Sequence, residues 1–269
     1  MSIIPGAQID EDGNASAFVQ VIARNGSYYI PYPMESYEAD RRMMTVKVGK
    51  NRFTKDGMVL AIHTEELNLE GKIRYGAFQR ISYDIMGPFQ MVPFMPCRHQ
   101  IVSMKHALEG ELKLNGEKIS FFGGTGYIEG DCGNTFPKNY FWSQSNSFET
   151  EDAAIFAAAA DVHVPGLVIP GCIAIVKHQG KEIRFATYLG ARIRKMTENM
   201  LCIRQGRYEL KIKVEPEKQQ MLYAPVKGKM IGKVKESIQC RACYELTYDK
   251  KRIFRRLSLK NSFERVLSQ

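Results

Sequence analysis

The sequence lacks any apolar run approaching the roughly 20 residues that cross a bilayer as a helix. Its start, MSIIPGAQIDEDGN, has no basic segment leading into an apolar one. A cytoplasmic soluble protein is the expectation. There is no phosphate-binding loop, no Gly-x-Ser-x-Gly elbow and no spacing of His, Cys, Asp and Glu that makes a metal triad. Nucleotide, hydrolase and metalloenzyme chemistry therefore find no support, and no metal or cofactor is expected. Tryptophan is nearly absent, with Trp142 alone in 269 residues. Sustained helical periodicity with caps at both ends is missing as well, which argues against a parallel α/β architecture; the tail FRRLSLKNSFERVL leaves room for one short helix after a strand.

Cysteine is present but not arranged as a framework. Positions 97, 132, 172, 202, 240 and 243 are scattered through a chain large enough to bury a core without staples, so reduced thiols are expected. Cys240 and Cys243 form a lone CxxC. On a strand, residues three apart point to opposite faces, which suits structural thiols better than a shared metal.

Acidic charge is scarce towards the C-terminus. From Arg192 onward the chain holds 20 Lys/Arg against 8 Asp/Glu, a balance of +12, and residues 1–191 stand at −3. Such a surface attracts anionic lipid headgroups or nucleic acid. The plainer reading is a solvated sheet exterior in which Lys and Arg alternate with apolar residues, as in YELKIKV (208–214). No nucleic-acid motif accompanies the charge, so no nucleic-acid partner is expected, whereas peripheral contact with an anionic membrane is retained.

What the chain does contain is short alternating runs broken by Gly-containing turns, the pattern of an antiparallel all-β protein. Asn25-Gly26 lies between AFVQVIAR and SYYIPY, and Asn115-Gly116 interrupts ELKLNGEKISFF. Gln179-Gly180 and Gln205-Gly206 mark two further hairpins. GPFQMVPFMP (87–96) carries three prolines and cannot be a central strand throughout. It reads as a loop offering Phe89, Met91, Phe94 and Met95 to a cavity mouth, or as a surface loop packed on the sheet.

The most distinctive stretch is GTGYIEGDCGNTFPKNYFWSQSN (124–146). Its Gly-x-Gly-Tyr-x-Glu-x-Asp strand, Gly-x-x-Phe-Pro turn and Trp-x-Gln-x-Asn strand resemble the central motif of the tocopherol cyclase family. MGPFQMVPFMPCRHQIVSMKHALEGEL (86–112) is similar to the region before that motif in bacterial members, and SIIPG, AFVQVI and FATYLGARI are fainter echoes. The resemblance implies two tandem lipocalin-like β-barrels, here expected over residues 1–137 and 138–269, with a ligand cavity near their interface. Cys132 stands where the family usually has Trp. The family's opening strand, like Phe-Glu-Gly-Trp-Tyr-Phe-Lys, is not matched, which implies a first barrel left incomplete and an exposed edge through which a homodimer can form.

Tocopherol cyclase closes a chromanol ring by protonating a prenyl double bond, and that needs an acid kept protonated in an apolar cavity. Glu129 and Asp131, two apart, share one strand face and repel each other, which favours retention of a proton by one of them. The alternative places both at the strand's exit, facing solvent or bonded to the Asn134 turn. His99 and His106 lie in the second matched stretch and are candidates to relay a proton or orient a phenol; their odd separation sets them on opposite faces of a straight strand. Trp142, Gln144 and Asn146 alternate onto one face, with Phe141, Ser143 and Ser145 on the other. The first face suits either a ligand wall, with Trp142 stacking and the amides orienting, or a buried hydrogen-bond network. Phe94, Tyr127 and Phe136 complete the candidate ligand contacts. The resemblance thus implies an apolar isoprenoid or prenylated-quinol-like ligand, a terpenoid or another lipid. It undergoes acid-assisted cyclisation, hydration or isomerisation, or is merely carried; an inactive remnant is the third reading.

Overall fold

The computed structural model describes residues 1–93, 95–148, 153–164 and 167–267. Phe94 lies outside them. The described chain is all-β and antiparallel, in three sheets. The first contains β1 (Ser2–Ile9), β2 (Ala15–Ala23) and β3 (Gly26–Pro33). The second contains β4 (Tyr37–Asp40), β5 (Thr45–Val48), β6 (Asn51–Thr54), β7 (Gly57–His63), β8 (Asn68–Tyr75), β9 (Cys97–Leu114), β10 (Glu117–Ser120) and β11 (Gly124–Gly133). The third contains β12 (Tyr140–Ser145), β13 (Ala153–Val164), β14 (Leu167–His178), β15 (Lys181–Ala186), β16 (Arg192–Met196) and β17 (Met200–Gln205). It continues with β18 (Tyr208–Glu215), β19 (Gln220–Val226), β20 (Lys229–Tyr248) and β21 (Lys251–Val266).

The turns follow from local chemistry. Asn115-Gly116 and Gln179-Gly180 have both residues at positive φ, the conformation whose twist matches that of the flanking strands. The other two hairpins also form, with β2 closing on β3 and β17 on β18. The tail departs from expectation: residues 254–266 continue β21 rather than forming a helix. Phe254, Ser258, Asn261 and Phe263 are buried along it. β21 joins β20 to β12, so its ladder hydrogen bonds override a local preference for helix.

In the third sheet the order runs β15-β14-β13-β12-β21-β20-β18-β17-β16. Its ends curl towards each other around Phe141, Ala157, Val176, Phe185, Ile212 and Tyr244. The Gln205 amide bridges the seam, accepting from the Ala186 N–H at 3.1 Å and donating to the Arg184 carbonyl at 3.0 Å. The N-terminal part is instead two sheets face to face. Ala17, Val19 and Val21 of β2 pack with Leu60, Leu69 and Ile73 of the second sheet. On the opposite face of β2, Ile22 packs against Leu222 and Ile238 of β19 and β20. The β19–β20 arm thereby covers the first sheet, and the Gln20 amide bonds to both backbone groups of Tyr223.

The second and third sheets meet over an apolar layer that includes Ile101 and Met104 from β9, Phe156 from β13 and Ile175 from β14. The proline-rich stretch helps to seal it. Gly87–Met91 forms a 3-10 turn, Phe89 stands edge-on to Tyr188 with ring centroids 5.5 Å apart, and Met95 joins the apolar layer. Met91 is 87% exposed, so only part of the expected apolar rim is free of the packing. Cys240 and Cys243 lie on opposite faces of β20, the first bonded to Asn261 and the second beside Arg255.

Candidate functional site

The pairing of β11 with β9 sets Asp131 directly opposite His99 and Glu129 opposite Ile101. The two carboxylates do share a face, and the imidazole of His99 lies between them. Nδ1 of His99 is 2.9 Å from Oδ1 of Asp131, and Nε2 is 3.2 Å from Oε2 of Glu129. The second contact is close enough for an ion pair without the alignment of a hydrogen bond. Burial opposes a charge on this ring, but Glu129 and then Asp131 outweigh it, and the His99 pKa is pushed up to about 10. The imidazolium stacks on Phe156, with centroids 4.7 Å apart and planes 8° from parallel. Oε2 of Glu129 also accepts from the Tyr127 hydroxyl at 2.6 Å and the Trp142 indole N–H at 3.3 Å. Burial, then Glu129, raises Tyr127 well above the ordinary phenol range, so its hydroxyl remains a donor.

His99, Glu129 and Asp131 offer ligand atoms within 4.8 Å of one another, a grouping that linear spacing did not reveal. Each carboxylate, however, meets a different nitrogen of the ring. One cation reaches only one imidazole nitrogen, so the geometry suits an ion-paired imidazolium better than a three-ligand metal centre.

A second carboxyl pair adjoins this cluster and was not anticipated from the sequence. Glu264 of β21 is the cross-strand neighbour of Trp142 on one side and of Glu236 on the other. Glu236 is buried, and burial followed by the charge of Glu129 raises its pKa to about 7. Glu264 keeps some accessible surface although protein surrounds it. Burial and then Glu236 push it well above the carboxylate range, against the opposing effect of the Tyr140 hydroxyl, which donates to Oε2 at 2.6 Å. The environment that holds a carboxyl protonated is therefore met one strand away from the expected motif.

The Trp142 face is arranged as its alternation indicated. Trp142 and Phe156 belong to the layer between the sheets. Gln144 is buried, lies opposite Phe156 in the ladder, and its Nε2 has no partner among the described residues. Asn146 donates from Nδ2 to the Gly126 carbonyl at 2.6 Å, so it ties β11 to the third sheet. Ser143, on the opposite face, joins Tyr244 and Asn261 inside the curled sheet. Phe136 is half-buried and edge-on to Tyr140, with centroids 6.2 Å apart.

His106 is placed elsewhere. It packs against Tyr75 and Phe78, its Nδ1 lies 3.0 Å from the Ser103 hydroxyl, and burial lowers its pKa to about 4. Gly126 lies opposite it in the ladder, and a Cβ there would sit 2.3 Å from His106 Nε2. The second glycine of the Gly-x-Gly motif thus makes room for this ring. At Gly130 a Cβ would meet nothing within 4 Å, and the adjacent Asp131 side chain is 35% exposed, so the cluster opens to solvent on that side.

Residues 43–264 match the sequence profile described as tocopherol cyclase-like. The chain belongs to the tocopherol cyclase-like family. The family match takes in β5 to β20 and nearly all of β21, and it includes His99, Glu129, Asp131, Glu236 and Glu264. No curated protein matches the sequence significantly. Among solved structures, kievitone hydratase from Nectria haematococca aligns at 11% identity over 97% of this chain and 87% of its own, with a TM-score of 0.48. An AttH protein from Nitrosomonas europaea aligns at 12% identity over 97% of this family member and 90% of its own chain, with a TM-score of 0.47. No described helix of this family member is long and apolar enough to cross a membrane.

Proposed function

We propose that the protein binds an apolar isoprenoid or prenylated-quinol-like molecule where its second and third sheets meet, and assists cyclisation, hydration or isomerisation by protonating a carbon–carbon double bond. The observation that carries this reading is Glu264, a carboxyl raised by burial and set beside Trp142 in the ladder. A neutral carboxylic acid is the group such a step needs. Its O–H bond breaks as the proton adds to the alkene, leaving a tertiary cation and the Glu264 carboxylate. A phenolic or water oxygen then bonds to the cation, and the proton it loses returns to the carboxylate.

The other roles follow from the contacts. Trp142 supplies a flat apolar surface for the prenyl part, and the Nε2 of Gln144, without a partner among the described residues, is a donor for the ligand's oxygen. Tyr140 holds Glu264 in place through its hydrogen bond. Glu129 and Asp131, the acids expected from the sequence, serve in this scheme as the anions that fix His99 as a cation.

The test uses a panel of prenylated quinols with the parent protein and Glu264→Gln, following substrate loss and product formation. Glu264→Gln is expected to reduce turnover at least 100-fold, in line with the usual contribution of general acid catalysis, while the ligand still binds. Equal turnover in the two proteins removes Glu264 as the acid. Tight binding without turnover by the parent establishes a carrier instead.

A further inference from the structure

We propose that the outer face of β18, β20 and β21 is a docking surface for an anionic lipid membrane. Part of the C-terminal positive charge is set among exposed aliphatic side chains on this face. Ladder pairing aligns Lys213 with Cys243 and Leu257, and Lys211 with Glu245 and Arg255. Glu215 pairs with Arg241, and irregularities in the β20–β21 ladder bring out Ile253, Leu259 and Lys260 on β21. Ile253, Leu257 and Leu259 are 42%, 49% and 46% exposed. Around them stand exposed Lys211, Lys213, Arg241, Arg252, Arg255 and Lys260; the acids beside them include Glu209 and Glu215 of β18 and Glu245, which pairs with Arg252 and Arg255, and the cations outnumber these.

A plain solvated exterior explains the cations but not the aliphatic side chains set among them. Together they fit a surface carrying phosphate and carboxylate groups above a hydrocarbon layer: the cations meet the headgroups, and the aliphatic side chains enter the acyl boundary. Ile and Leu give nucleic-acid bases no flat ring to stack on. A second copy of the chain would bring cations against cations, which opposes self-association through this face. The inference is independent of the acid chemistry proposed above, although a membrane is also where apolar molecules with a ring and tail reside.

The test is cosedimentation of the full chain with vesicles of phosphatidylcholine alone and of phosphatidylcholine mixed with phosphatidylserine, at low and high salt. Binding is expected only to the phosphatidylserine vesicles and is expected to vanish at high salt. The combined variant Lys211→Gln, Lys213→Gln, Arg241→Gln should bind more weakly by about fivefold per charge removed. Leu257→Ser with Leu259→Ser should reduce binding while leaving its salt dependence in place. Both sets alter exposed side chains, and an unchanged circular dichroism spectrum verifies that each variant is folded. Equal binding to both vesicle types, full binding by the charge variant, or a concentration-dependent dimer abolished by the leucine substitutions would each overturn the proposal.

Discussion

Burial sets the protonation of Glu236, and with it a pH dependence of stability. Its pKa is raised from 4.5 to about 7, so its stabilising contribution is complete below the unfolded value and lost as pH rises through about 7. His99 adds to the same limb: raised from 6.5 to about 10, it stabilises fully below 6.5 and progressively less as pH climbs through 10. His106 acts oppositely. Lowered from 6.5 to about 4, it supports the fold above 6.5 and loses that contribution as pH falls through 4. Glu236→Gln keeps a neutral side chain of similar shape, and its urea midpoint should fall less than the parent's between about pH 5 and 8. Identical slopes in the two proteins would show that Glu236 is not held protonated by the fold. Neither Glu236 nor Glu264 was legible as a site residue, because nothing near them in sequence marks them; only the β12–β21–β20 pairing carries them to Trp142.

At the scale of elements, what was legible was local. Hairpins marked by Asn-Gly and Gln-Gly, and the alternation that sets Trp142 and Gln144 apart from Phe141 and Ser143, depend on neighbouring residues and appear as expected. What was not legible depended on distant partners. His99 meets Glu129 and Asp131 only through the β9–β11 register, and the tail is a strand because β20 and β12 flank it. The segment before β9 is likewise fixed by tertiary contacts. Arg184 of β15 donates to the carbonyls of Tyr83 and Asp84 and lies over the Tyr83 ring at 3.6 Å, while Glu182 accepts from the backbone and hydroxyl of Ser82. Arg184→Ala removes a buried, charged donor from this junction and should cost about 2–4 kcal/mol of stability, read by urea unfolding. A cost below about 0.5 kcal/mol, the range of ordinary surface substitutions, would mean that the clamp is incidental.

At the scale of the whole molecule, the two β-bodies are joined by an apolar layer whose border is ionic. Ile101, Met104, Phe156 and Ile175 hold the sheets together, while His99 and the carboxyls Glu129, Asp131, Glu236 and Glu264 gather beside them. The family resemblance implies a site near this junction, and the ligand site proposed above lies there. The lone tryptophan makes the placement directly measurable. Trp142 fluorescence should be followed while a prenylated quinol is titrated into the purified chain, with native mass spectrometry counting bound molecules. A saturable change in Trp142 emission, reaching its plateau at one ligand per chain, is the predicted result. One ligand bound without any change in Trp142 emission would contradict a site against this wall.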